Sequence, residues 1–159
     1  MTSFAPLTSV QLNSFLDNDP HFIGVYPRDL LPTSSTLRYC RPLTLIINTD
    51  TSNLDGRHWV AVYIDRSGYG EYFDSLAQPI PDHISLWLSR NSSQWKYVLR
   101  PFIDSPIQSI TSQTCGAFAY FYVHERPLVD SCRRILVPFR SLTYNDKFVI
   151  SYLNKNAAS

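Results

Sequence analysis

The stretch "HWVAVYIDRSGYGEYFDS", residues 58–75, decides how this chain folds. Its "WVAVYID" segment (59–65) is apolar on both faces, which suits a central strand of a covered sheet. "DRSG" (65–68) is turn chemistry and "GEYFDS" (70–75) is a short returning strand, so the stretch reads as an antiparallel hairpin. Opposed residues in such a hairpin have a constant index sum, and a turn centred on 65–68 sets it near 133. His58 and Asp74 sum to 132, which puts them opposite each other at the open end. Directly opposed Cβ atoms lie roughly 4.5–5.5 Å apart. At that separation a carboxylate can hold an imidazole by one ring nitrogen and fix its tautomer. A purely structural His–Asp pair at a strand end would look the same.

Working outward, "LTLIINT" (43–49) is a second doubly apolar strand and "WKYVLRPF" (95–102) a further strand. "TSVQLNSFLDND" (8–19) reads as a helix that Thr8 or Ser9 caps, with Val10, Leu12, Phe15 and Leu16 on its apolar side. "FIGVYPRDLLPTSS" (22–35) reads as turns, with prolines at 27 and 32. "IPDHISLWLSRNS" (80–92) predicts a helix with Pro81 in its first turn and Ile84, Trp87 and Leu88 inward. Residues 115–126 predict another helix, apolar all round from Ala117 to Val123, which belongs in the middle of a domain. Residues 142–154 predict a closing helix. The expectation is one α+β domain over 1–159: a mixed central sheet with a buried central helix.

The bulk composition narrows the function. Of 159 residues, 44% are hydrophobic and only 17% charged, enough to bury a real core. A net charge of +1 provides no large basic field for nucleic acid. Three cysteines, without a CxxC or a Cys/His cluster, argue against a disulfide scaffold or a metal site and for a reducing compartment. The N-terminal segment lacks signal-peptide character, and no apolar run approaches the ~18 residues needed to span a membrane.

The chemistry turns on "QSITSQTCGAFAYFYVHER" (108–126), where Cys115 opens the all-apolar helix. A thiol in the first turn meets the positive end of the helix dipole, which favours the thiolate. Joined to the His58–Asp74 pair, Cys115 completes a nucleophile, base and orienter set for acyl transfer. Without that pair, a cysteine before a glycine is simply a small core residue. The other candidates lack partners. His83 and His124 lie in helices, His21 lies in a loop, and Asp65 is at the wrong end of the hairpin. Cys40 stands in a turn region between Arg38 and Arg41, while Cys132 precedes two arginines with no hairpin pair to accompany it.

In order and spacing, "HWVAVYID…GEYFDS…QSITSQTCGAF" resembles the adenovirus protease (adenain) family of cysteine peptidases. The layout is shared with the wider clan that includes SUMO-specific proteases. "FIGVYPRD" and "LIINTDTSNLDGRHW" extend the likeness upstream, so it spans roughly residues 10 to 126. The resemblance implies a papain-like fold, Cys115 as nucleophile, His58 as general base and acid, Asp74 as orienter and Gln108 as side-chain oxyanion donor. It also implies that Trp59 narrows a substrate path with a preference for glycine at the scissile bond, although core packing explains Trp59 equally well. Protein or polyprotein substrates follow, with no metal or organic cofactor and no membrane. For a viral enzyme, the setting would be the infected-cell nucleus or the virion. The resembled family is stimulated by a disulfide-linked viral peptide and by DNA. Here no cysteine lies between residues 90 and 107 to pair with such a peptide, and the charge is nearly neutral. A ubiquitin-like-protein isopeptidase and an inactive virion-structural or binding module of the same fold stand as alternatives.

Overall fold

The computed structural model describes residues 5–53 and 58–157. Its centre is a five-stranded mixed sheet whose spatial order follows the chain: β1 (Phe22–Pro27), β2 (Leu43–Asn48), β3 (Trp59–Ile64), β4 (Tyr69–Phe73) and β5 (Gln94–Tyr97). The inner strands β2, β3 and β4 run antiparallel, while each edge strand runs parallel to its neighbour. Among the described residues five α-helices accompany the sheet: α1 (Ser9–Phe15), α2 (Asp82–Asn91), α3 (Cys115–Glu125), α4 (Cys132–Leu136) and α5 (Leu142–Asn156).

Side-chain alternation explains the layering. Leu43, Leu45 and Ile47 of β2, with Val60, Val62 and Ile64 of β3, meet Ile84, Trp87 and Leu88 of α2 on one face. Ile46, Trp59, Ala61, Tyr63 and Phe73 face α3 on the other, where α1 and α5 close the layer. Both faces are covered, so β2 and β3 are buried at every position. Helix α3 is buried continuously from Cys115 to Val123, as its unbroken apolar surface requires. The expected α+β architecture, with a mixed sheet and a buried central helix, is the one observed.

Two readings need correction. The turn-rich segment at 22–35 contains β1. Gly24, at φ +138°, and a register break between Phe22 and Val25 interrupt the strand, and Pro27 ends it. Those breaks, with half-buried positions throughout, erased its period-2 pattern. The strand expected over 95–102 spans Gln94–Tyr97, and the short α4 carried no separable signal.

The hairpin register also differs. The pairs Ala61–Phe73, Val62–Tyr72, Tyr63–Glu71 and Ile64–Gly70 give an index sum of 134. The Asp65 N–H bonds the Tyr69 carbonyl at 2.9 Å, so the loop holds three residues, with Gly68 at φ +94°. One residue more in the turn moves the register by one. His58 and Asp74 are therefore diagonal rather than directly opposed neighbours. Diagonal partners stand roughly 7–8 Å apart, still within reach of long side chains.

Candidate active site

Asp74 follows the last residue of β4 and is 2% exposed. The chain turns back on itself there: the Ala77 N–H bonds the Asp74 carbonyl at 2.9 Å, with Ala77 in the left-handed region at φ +52°. The turn aims two more N–H groups at the carboxylate, Leu76 to Oδ1 at 2.9 Å and Gln78 to Oδ2 at 3.1 Å. Oδ1 also accepts from His58 Nε2 at 2.6 Å. His58 lies just ahead of β3, where its carbonyl accepts the Thr49 N–H at 3.0 Å as the β2–β3 pairing runs out. The imidazole is thus fixed at its backbone and at one ring nitrogen.

The Cys115 side chain hydrogen-bonds the same imidazole from the first turn of α3. With Nε2 committed to Asp74, Nδ1 is the atom left to exchange a proton with the thiol. Burial opposes a charged imidazole. The hydrogen bonds and charges of Asp74 and Cys115 outweigh it and push the His58 pKa up to about 10. The structure brings together the three residues read from the sequence as nucleophile, base and orienter.

Gln108 lies beside them, 2% exposed, and its orientation is determined by chemistry. One end of its amide sits 3.3 Å from the Ser112 backbone carbonyl, which can only accept, so that end is Nε2. The Ser75 hydroxyl then donates to Oε1 at 2.5 Å, and the Ser75 carbonyl accepts the Gln108 backbone N–H at 3.2 Å. A second Nε2 hydrogen lies outside both side-chain bonds. Ser75 directly follows Asp74, so one turn orients both the carboxylate and the amide. Gln113, the other glutamine of the loop, is exposed.

Trp59 is a core residue whose indole N–H donates to the Leu7 carbonyl at 2.9 Å. A Cβ added to Gly116 would come within 3.2 Å of Trp59 and 3.0 Å of Leu7, so a side chain there would press both neighbours back by a few tenths of an ångström. Trp59 and Leu7 also border an open cavity of about 470 Å³, together with Val25, Tyr26, Asn48 and Ser52. Trp59 thus packs in the core and also borders this cavity, which Cys115, His58, Asp74 and Gln108 do not line. The sequence reading missed Leu7 and Ser75, since neither stands in a periodic pattern or a recognisable motif.

Among the described residues, no cluster of His, Cys, Asp or Glu could hold a metal ion, and no helix is long and apolar enough to cross a membrane. The remaining sequence candidates stand apart: Cys40 is exposed, Cys132 is buried as the first residue of α4, and His124 Nδ1 hydrogen-bonds the Tyr152 hydroxyl.

A thiol at the head of a buried helix, facing a histidine and an acid from the ends of adjoining strands, resembles the site of papain-like α+β cysteine peptidases. The likeness to adenain-like peptidases, in the clan that includes SUMO-specific proteases, holds in both sequence and fold. Over 96 residues, 56% of this chain, the sequence is 31% identical to the SUMO-1 cysteine protease of African swine fever virus. That match takes in 35% of the relative's length, so the chain spans about a third of the curated relatives it matches. A crystal structure of an African swine fever virus protease has the same fold, with a TM-score of 0.66 at 17% identity, over 91% of this chain and 66% of that one. The central domain of an uncharacterized Legionella pneumophila protein is also similar, with a TM-score of 0.57 at 12% identity, over 98% of this chain and 97% of that one. No protein-family model matches the chain.

Proposed function

We propose that the chain is a viral or virus-like cysteine endopeptidase that cleaves precursor proteins. The observation that carries the reading is one imidazole held by Asp74 at 2.6 Å and hydrogen-bonded by Cys115 at the head of a buried helix. Viral origin is supported by the African swine fever virus relatives.

Cys115 attacks the scissile carbonyl and forms a tetrahedral intermediate. Gln108 Nε2 and the Cys115 backbone N–H stabilise its oxyanion. Protonated His58 gives its proton to the leaving amine, which leaves a thioester. Water, deprotonated by His58, then attacks the thioester and releases the acid product and the thiol. Asp74 keeps the imidazole oriented throughout. The cavity bordered by Trp59 and Leu7 lies within the usual ligand-site range of about 300–1,000 Å³ and receives substrate residues away from the scissile bond, since Cys115, His58, Asp74 and Gln108 do not line it. A nucleophile that must stay a thiol suits a reducing compartment, such as the infected-cell nucleus or the virion core.

Digestion of a proteome-derived peptide library tests activity and specificity together. Cleavage at glycine-containing sites is expected, with none by Cys115→Ala. Cleavage after large side chains with glycine ignored would remove the assigned role of Trp59. Absence of all cleavage, together with failure of a thiol-directed inhibitor to label Cys115, would favour an inactive binding module. The relatives named as SUMO-1 cysteine proteases support a second reading, an isopeptidase for ubiquitin-like proteins. Turnover of fluorogenic SUMO or ubiquitin well above that of short peptides would select it.

A further inference from the structure

Helix α5 belongs to none of the roles assigned so far, yet two of its adjacent residues grip the loop that carries Gln108. Asn145 is fully buried, and its Nδ2 donates to the Ile107 carbonyl at 3.0 Å, one residue ahead of Gln108. Its Oδ1 accepts the Arg140 N–H at 2.6 Å, which fixes the amide's orientation. Asp146 Oδ1 accepts the Thr114 hydroxyl at 2.9 Å and lies 3.5 Å from the Ser112 hydroxyl. The same carboxylate takes a backbone hydrogen bond from Ser109. Both ends of segment 107–114 are thus tied to one helix.

The bond to Thr114 has a second consequence. Thr114 is the N-cap residue of α3, and threonine at that position ordinarily turns its hydroxyl onto a first-turn N–H. Here it makes no side-chain cap: its backbone, at φ −94° and ψ 4°, lies outside the extended region that capping residues adopt, and its hydroxyl bonds Asp146. The Cys115 N–H, the backbone donor assigned to the oxyanion, directly follows Thr114, so the bond to Asp146 anchors the chain where that donor is set. Ser112, tied to the same carboxylate, supplies the carbonyl that sets the Gln108 amide.

We propose that Asn145 and Asp146 are positioning residues for the oxyanion site. Asn145 holds the start of the Gln108 loop, and Asp146 holds its end at Thr114, the residue before the nucleophile. The inference rests on the peptidase reading above and adds an element that the site itself does not touch.

The test uses the whole chain, a fluorogenic form of a library peptide cleaved by the wild type, and iodoacetamide as a probe of Cys115. Asp146→Ala should lower kcat by about 10–100-fold, the scale of a roughly 1 Å misplacement, and leave KM and the alkylation rate within about twofold. Asp146→Asn keeps an oxygen that accepts from Thr114 and should recover most of kcat. Should Asp146→Ala not fold, Asp146→Glu, which displaces the carboxylate by one methylene, carries the same expectation for kcat. Unchanged kcat in Asp146→Ala beside a damaged Gln108→Ala overturns this proposal alone. Unchanged kcat in both overturns the oxyanion assignment beneath it. Loss of kcat, alkylation and melting temperature together makes Asp146 merely structural and also overturns the proposal.

Discussion

Two buried carboxylates three residues apart, Glu71 in β4 and Asp74 just beyond it, each hold a basic side chain, yet the two pairs do opposite things. Glu71 takes Arg126 in a fork, at 2.7 Å from Nε and 2.9 Å from Nη2. The Tyr122 hydroxyl also bonds Glu71, Arg126 Nη1 reaches the Val129 carbonyl, and the guanidinium lies 4.3 Å over the Tyr63 ring. Burial opposes the Arg126 charge, but the bonds to Glu71 push its pKa still higher. Every polar end of that pair has a partner and its cation cannot titrate in the working range, so it is a fixed structural clamp. Asp74 holds His58 through one oxygen and one ring nitrogen, and the imidazole's other side faces a thiol. An ion pair becomes chemical when its cation can lose a proton and has an atom left over to pass it on.

The largest effect expected from breaking this contrast is at the titratable pair. His58→Ala should fold and lose on the order of 10⁴-fold or more in kcat, measured on a cleaved peptide. Arg126→Ala should do the reverse. It leaves Glu71 buried and uncompensated, and should cost about 3–5 kcal/mol in denaturant unfolding while the folded fraction keeps its kcat. Equal loss of activity per folded molecule in both variants would erase the distinction between the pairs.

The next effect sharpens the chemical side. Gln108→Ala removes the proposed oxyanion donor and should lower kcat by about 10²–10³-fold, or 2.7–4 kcal/mol, with alkylation of Cys115 intact. Gln113→Ala, at an exposed position, should change little.

The smallest effect is in pH dependence. Because folding raises the His58 pKa from 6.5 to about 10, its contribution to stability is complete below pH 6.5 and fades as pH rises through 10. The stability difference between wild type and His58→Gln should therefore shrink over that window by about 2 kcal/mol. That figure is discounted from about 1.36 kcal/mol per unit because solvent reaches part of the ring. The difference between wild type and Arg126→Ala should stay flat over the same range. Urea titrations at several pH values measure both.

Local chemistry made much of this protein legible from its sequence alone. The unbroken apolar runs of β2 and β3 require a sheet covered on both faces, and an all-apolar run beginning at Cys115 requires a central helix with a thiol at its head. The same reading brought His58 near Asp74 but misjudged the register by one, because a three-residue loop and a two-residue loop differ by a single glycine conformation at Gly68. What tertiary structure alone decided are contacts between residues without pattern: Ser75 with Gln108, 33 positions apart, and Thr114 with Asp146, 32 apart. Hydrophobic periodicity records which face of an element is buried, and turn chemistry records where the chain reverses. Neither records which serine, glutamine or aspartate meets which across the packed layers, since a single polar contact leaves no repeat along the chain.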